Sequence, residues 1–106
     1  MKYLTRKEEL VLLAICRLTE GAYLVNIREY LNKQTEKKWS VGNVYVPLDR
    51  MCKLGLLESY TGHPTTRRGG KAIKYYKPTK KGIEALAEIK KVHEAMWAGL
   101  DHLAFE

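Results

Sequence analysis

The sequence predicts a mainly α chain carrying one small β-hairpin, and three observations lead there. Apolar residues recur at three- and four-residue steps in four stretches bounded by capping residues and glycines. Two short segments rich in aliphatic, aromatic and β-branched residues follow the third stretch and flank a run of glycine, proline and arginine. The chain of 106 residues, 45 % of them hydrophobic, has room for one small core and no second one.

Each element has its own signal. Thr5-Arg6-Lys7-Glu8 has the form of a capping box, so a first helix begins near Arg6. Leu10, Leu13, Ala14 and Leu18 form its inner stripe, widened by Val11 and Ile15, and Glu20-Gly21 ends it. A second helix takes in Leu24, Ile27 and Leu31 and runs into a polar segment near Lys37. Ser40 reads as the N-cap of a third, whose inner face is Val44, Leu48 and Met51 and whose stop is Gly55. Leu56–Thr61 and Ala72–Lys77 read as the strands of a hairpin around a long basic tip containing Arg67, Arg68 and Lys71. Thr79 can cap a last helix, with Ile83, Leu86, Ile89, Met96 and Leu100 at its apolar positions.

Three helices followed by a basic hairpin are the parts of a winged helix-turn-helix, here with a C-terminal helix added. Residues 1–78 would form the winged unit and 79–106 the helix that meets a second subunit. From Lys33 to Lys81 there are twelve basic residues and three acidic ones, against seven and nine in the rest of the chain. A basic middle between near-neutral flanks suggests an anionic partner met by one face, double-stranded DNA first and an acidic protein or membrane surface second.

Other classes are disfavoured. The apolar run Leu10–Cys16 is too short to span a bilayer and follows Glu8-Glu9 instead of the basic residues a secretory signal needs, so the expected location is cytoplasmic. Cys16 and Cys52 make neither a disulfide framework nor a zinc site and read as small buried apolar residues. His63, His93 and His102 lack metal-ligand spacing, and no nucleophile–base set or phosphate-binding glycine loop is present. No metal, cofactor or catalysis is expected.

The segments Ser40-Val41-Gly42-Asn43-Val44-Tyr45, Leu48-Asp49-Arg50-Met51 and Gly55-Leu56-Leu57 together resemble the recognition-helix signature of PadR-like transcriptional regulators. The wing Arg67-Arg68-Gly69-Gly70-Lys71 and the exit Tyr75-Tyr76-Lys77-Pro78-Thr79-Lys80-Lys81-Gly82 extend the resemblance, which covers roughly residues 5–100. It implies a bacterial, dimeric transcription factor, usually a repressor, whose last helix packs against the partner subunit; the length is that of the short class with a single such helix. Three departures stand out: Leu24 where the family often has glycine, Val46 interposed before Pro47, and Pro78 in place of a leucine. Pro47 should bend the third helix or lie in an irregular turn.

The residues expected at DNA follow. The solvent side of the third helix should present Gly42, Asn43, Val46, Arg50 and Lys53, with Asn43 suited to an adenine edge. Tyr45 can pack its ring and offer its hydroxyl to phosphate, and Ser40 meets phosphate only secondarily to capping. Arg67, Arg68, Lys71 and Lys74 would follow the phosphate track. Lys80 and Lys81 lie where the helix dipole disfavours positive charge, and a nearby phosphate would account for them. On the last helix Ile89, His93, Met96, Trp97 and Leu100 would form the dimer face. The resemblance also implies that Trp97 could line a pocket for a flat aromatic effector. A rival reading is a protein-interaction adaptor with its basic face on an acidic partner.

Overall fold

The computed structural model describes residues 4–62, 72–100 and 102–103. Four α-helices and a two-stranded antiparallel sheet follow in the order α1 (Arg6–Leu18), a 3-10 turn (Thr19–Gly21), α2 (Leu24–Thr35), α3 (Val41–Lys53), β1 (Leu57–Thr61), β2 (Lys74–Pro78) and α4 (Lys80–Trp97). This is the winged helix-turn-helix with an added C-terminal helix. Among the described residues no helix is long and apolar enough to cross a membrane.

The helix starts are set locally. Thr5 accepts from the Glu8 N–H while the Glu8 carboxylate accepts from the Thr5 N–H, completing the capping box. Ser40 caps α3 by accepting from Asn43, and Thr79 caps α4 by accepting from Gly82. The stops differ more from expectation. α1 ends at Leu18, and Thr19 takes a positive φ of 51° before the 3-10 turn; Glu20-Gly21 lies beyond the helix end. Gly55 does end α3 in the left-handed region, at φ 77°. α3 continues through Pro47: its ring is buried, and the one N–H it lacks would have bonded Asn43's carbonyl. α4 stops at Trp97, so Leu100 lies past it, in a turn after Gly99.

The core forms where α1, α2 and α3 meet the inner face of the hairpin. Leu12, Ile15, Ile27, Val44, Leu48 and Met51 are fully enclosed, and Leu57 and Tyr76 close it from the sheet. The buried face of α1 is Val11, Leu12, Ala14 and Ile15; Leu13 is exposed and Leu10 and Leu18 are half-buried. The expected stripe is therefore rotated, because α1 is covered by α2 and α3 on one side and by β2 and α4 on the other. Tyr23 bridges Tyr75, and the Tyr76 N–H donates to the Ala22 carbonyl at 2.9 Å, so Ala22–Tyr23 adds a minimal third strand beside β2.

The loop between α2 and α3 is closed by Trp39, which the sequence reading passed over. Its N–H donates to Asn32 Oδ1 at 2.7 Å, its indole N–H to Thr35 Oγ1 at 3.0 Å, and its carbonyl accepts from Arg28 Nε at 2.6 Å. Neither cysteine is the fully enclosed residue expected: Cys16 and Cys52 are both half-buried free thiols.

α4 leaves the body at a tight junction. A Cβ on Gly82 would stand 2.2 Å from the Leu56 carbonyl oxygen, a backbone atom with little freedom to move. Gly82→Ala should therefore destabilise the fold by about 1–3 kcal/mol in urea unfolding. Gly42, whose added Cβ would meet nothing nearer than 4.0 Å, gives the opposite expectation. Gly42→Ala should raise stability by up to about 1 kcal/mol, the helix-propensity gain.

Candidate nucleic-acid interface

α3 presents an outward face that the rest of the described chain leaves open. Val41, Gly42, Asn43, Tyr45 and Val46 are exposed, Val46 at 65 %. Small, polar and branched residues at the start of a helix allow close approach to base edges, and two valines offer apolar contact for thymine methyls. Ser40 is exposed beside them, its hydroxyl on the Asn43 N–H. Tyr45 is half-exposed, at 49 %.

Two further residues expected on that face have partners of their own. Arg50 turns toward α1 and donates through a guanidinium nitrogen to Glu8 Oε2, with its side chain 40 % exposed. Lys53 pairs with Asp49 one turn back at 2.9 Å. Glu8 is only 3 % exposed. Burial pushes its carboxyl pKa up, but the Thr5 N–H, the Arg50 guanidinium and the Thr5 hydroxyl outweigh it and hold the group below the ordinary glutamate range. An acid that caps α1 thus also ties down the last turn of α3.

Beside the N-terminal end of α3 lies the first turn of α1, where Arg6 and Lys7 are exposed. Lys7 Nζ donates to Asn43 Oδ1 at 3.2 Å, a contact that nothing local in the sequence announces. At the other end of α3, Lys81 Nζ donates to the Leu54 carbonyl at 3.1 Å and Thr79 Oγ1 to the Gly55 carbonyl at 2.6 Å. Lysine at the start of α4 therefore has an intramolecular partner, the carbonyl-rich end of α3, where positive charge is favoured. Lys80 is exposed next to it.

On the hairpin, Lys74 lies 5.6 Å from the Tyr76 ring centre, and Lys77 lies 5.9 Å from that of Tyr60 and 3.6 Å from Glu58. Arg67, Arg68 and Lys71 lie outside the described residues. Cys52 stands near Lys74, but burial raises its thiol pKa more than that lysine lowers it, so the thiol form dominates at neutral pH. Among the described residues no group of three or more His, Cys, Asp or Glu side chains could hold a metal ion.

The residues expected at a subunit interface share α4 except Leu100. Ile89 and His93 are half-buried against α1, His93 Nε2 lying 3.5 Å from Glu9 Oε2. Together with Met96 they border a groove of about 230 Å³ that Leu4 and Glu9 line from the α1 side. Met96 is 71 % exposed, and Trp97, Val92 and Ile83 are exposed along the same helix.

No protein-family model matches the chain, and no curated protein matches it. Solved structures do. A PadR-like transcriptional regulator from Bacillus cereus is 30 % identical with a TM-score of 0.73, over 91 % of this chain and 88 % of that one. A PadR-like transcription factor from Bacteroides fragilis is 28 % identical with a TM-score of 0.71, over 93 % of each chain. A PadR family regulator from Eggerthella lenta is 26 % identical with a TM-score of 0.70, over 92 % of this chain and 83 % of that one.

The Glu8–Arg50 link yields a test with a defined sign. Glu8→Gln should cost about 1–3 kcal/mol near neutral pH, where hydrogen bonds to a charged group are lost. Because the folded carboxyl titrates below its unfolded value, its contribution is complete above about pH 4.3 and is lost as the pH falls through the lowered folded value. The stability gap between wild type and Glu8→Gln, measured by urea unfolding, should therefore hold above about pH 4.3 and narrow as the pH falls below it.

Proposed function

The chain belongs to the PadR-like family of transcriptional regulators, and on that footing we propose that it is a bacterial, cytoplasmic repressor that binds a palindromic operator as a homodimer. The observation that carries this reading is the bare outward face of α3, made by Val41, Gly42, Asn43, Tyr45 and Val46, on a helix capped at its start by Ser40 and held at its far end by Glu8 and Lys81. Residues 1–78 act as the DNA-binding unit and 79–106 as the dimerisation segment. Two copies of α3 enter successive major grooves about 34 Å apart. Asn43 and the exposed valines meet bases, while Tyr45, Lys74, Lys80, Arg67, Arg68 and Lys71 follow phosphates. Arg50 serves mainly to hold α3 against α1, given its partner Glu8, while Lys53, paired with Asp49 of the same helix and 75 % exposed, can still meet a phosphate.

The homodimer is supported by the uncovered apolar side chains of α4, which a monomer this small leaves in water. An interface built there brings Trp97 beside its partner's copy and gives a flat aromatic compound an apolar surface to stack on. Quenching of Trp97 emission on titration, absent in Trp97→Phe, would support that effector site.

The function is tested by incubating the protein with sheared DNA from its source at about 150 mM salt, where non-specific binding is weakened, and sequencing what is retained. Enrichment of one inverted repeat supports the reading; uniform retention or none contradicts it. Replacing Arg67 and Arg68 by alanine together should weaken binding to all sequences alike. It should also lower the slope of log affinity against log salt by about 4, two arginines being lost from each of the two subunits.

A further inference from the structure

We propose that Lys7, on the first turn of α1, sets which base Asn43 reads by holding its side-chain amide as a hydrogen-bond donor, so that guanine is selected where Asn43 meets the operator. The inference rests on the regulator reading above and deepens it. Lys7 Nζ donates to Asn43 Oδ1 at 3.2 Å, between residues 36 apart in sequence. An ammonium group has donors only, so the amide atom it meets is the oxygen, and the NH₂ group faces away from Lys7.

The rest of Asn43 is also placed. Its backbone N–H donates to the Ser40 hydroxyl at 3.1 Å, in the first turn of α3. The Glu8–Arg50 link, made by the residue next to Lys7, holds α3 against the same end of α1. Lys7 and Asn43 are both exposed, so the pair is presented to whatever lies along the outward face of α3.

Chemistry then decides the base. An unrestrained asparagine suits adenine, accepting from the N6 amino group and donating to N7. With Oδ1 already accepting from a cation, the adenine amino group would bring a second donor to that oxygen beside a positive charge. Guanine presents N7 and O6, both acceptors, to the Asn43 NH₂ and the Lys7 ammonium. Lys7 is thus a positioning residue for base choice, distinct from any contribution of its charge to phosphate attraction, which would act on all sequences equally.

The test is selection from a random duplex library by wild type, Lys7→Met, Lys7→Arg and Asn43→Ala, with base frequencies read at every operator position and thermal melting recorded for each protein. Wild type should select guanine at one position per half-site, and Asn43→Ala should lose that preference. Lys7→Met should shift it toward adenine by about tenfold or more relative to guanine, within the range of a bidentate base contact. Lys7→Arg, which keeps a donor, should retain guanine. A merely structural role for Lys7 would lower melting temperature or overall affinity without changing base identity at one position. Adenine at the Asn43-dependent position in wild type, no Asn43-dependent position, or an unchanged profile in Lys7→Met overturns the inference and leaves the regulator reading standing. Failure of wild type to select any site overturns both.

Discussion

The structure depends on how the C-terminal end of α3 is held. A helix ends with carbonyls that lack intrahelical partners, and leaving them buried and unpaired is costly. Here the Met51 and Cys52 carbonyls accept from the Leu56 and Gly55 N–H groups, and just past the helix the carbonyls of Leu54, Gly55 and Leu56 accept from Lys81 Nζ, Thr79 Oγ1 and the Thr79 N–H respectively. The same few residues end α3, start β1, end β2 and start α4. Gly82 is there because the α4 backbone passes too close to Leu56 for any side chain. One junction thus ties the outward helix, the hairpin and the C-terminal helix into a single unit.

The other end of α3 is held by different chemistry. Trp39 closes the loop from α2 with three hydrogen bonds and is itself nearly buried, so Ser40 enters the cap from a fixed position. Lys7 ties the start of α3 to α1 through Asn43. Glu8, buried and charged and costly alone, is satisfied by the capping bonds and by Arg50, which cross-links α1 to the last turn of α3. In the proposed complex α3 would meet DNA with a face whose backbone is already ordered, which lowers the entropy lost on binding.

What the sequence disclosed follows the range of each interaction. Capping by Thr5, Ser40 and Thr79 acts over three residues, and all three helix starts were legible. The element order and the hairpin were legible because their punctuation is local too. The face of α1 was not: apolar spacing alone admits Leu13, and only its packing on two sides turns Leu12 inward and Leu13 out. Arg50 reads as a DNA-facing arginine until the fold brings Glu8 to it, 42 residues away in sequence. Lys81 reads as misplaced against the dipole of its own helix until the end of α3 arrives beside it. The overlooked Trp39 carried a usable signal, a large aromatic in a polar run just before an N-cap. Lys7 carried none, since nothing marks one surface lysine among the nineteen basic residues.

The central claim is that two copies of α3 occupy successive major grooves on one side of the duplex. A dimethyl sulfate footprint on the selected operator tests it most directly, because the reagent reports guanine N7 in the major groove and adenine N3 in the minor. The account predicts guanine N7 protection in two segments about 10 base pairs apart, centre to centre, symmetric about the operator's dyad. Protection of a single segment, or of minor-groove adenines alone, would contradict it.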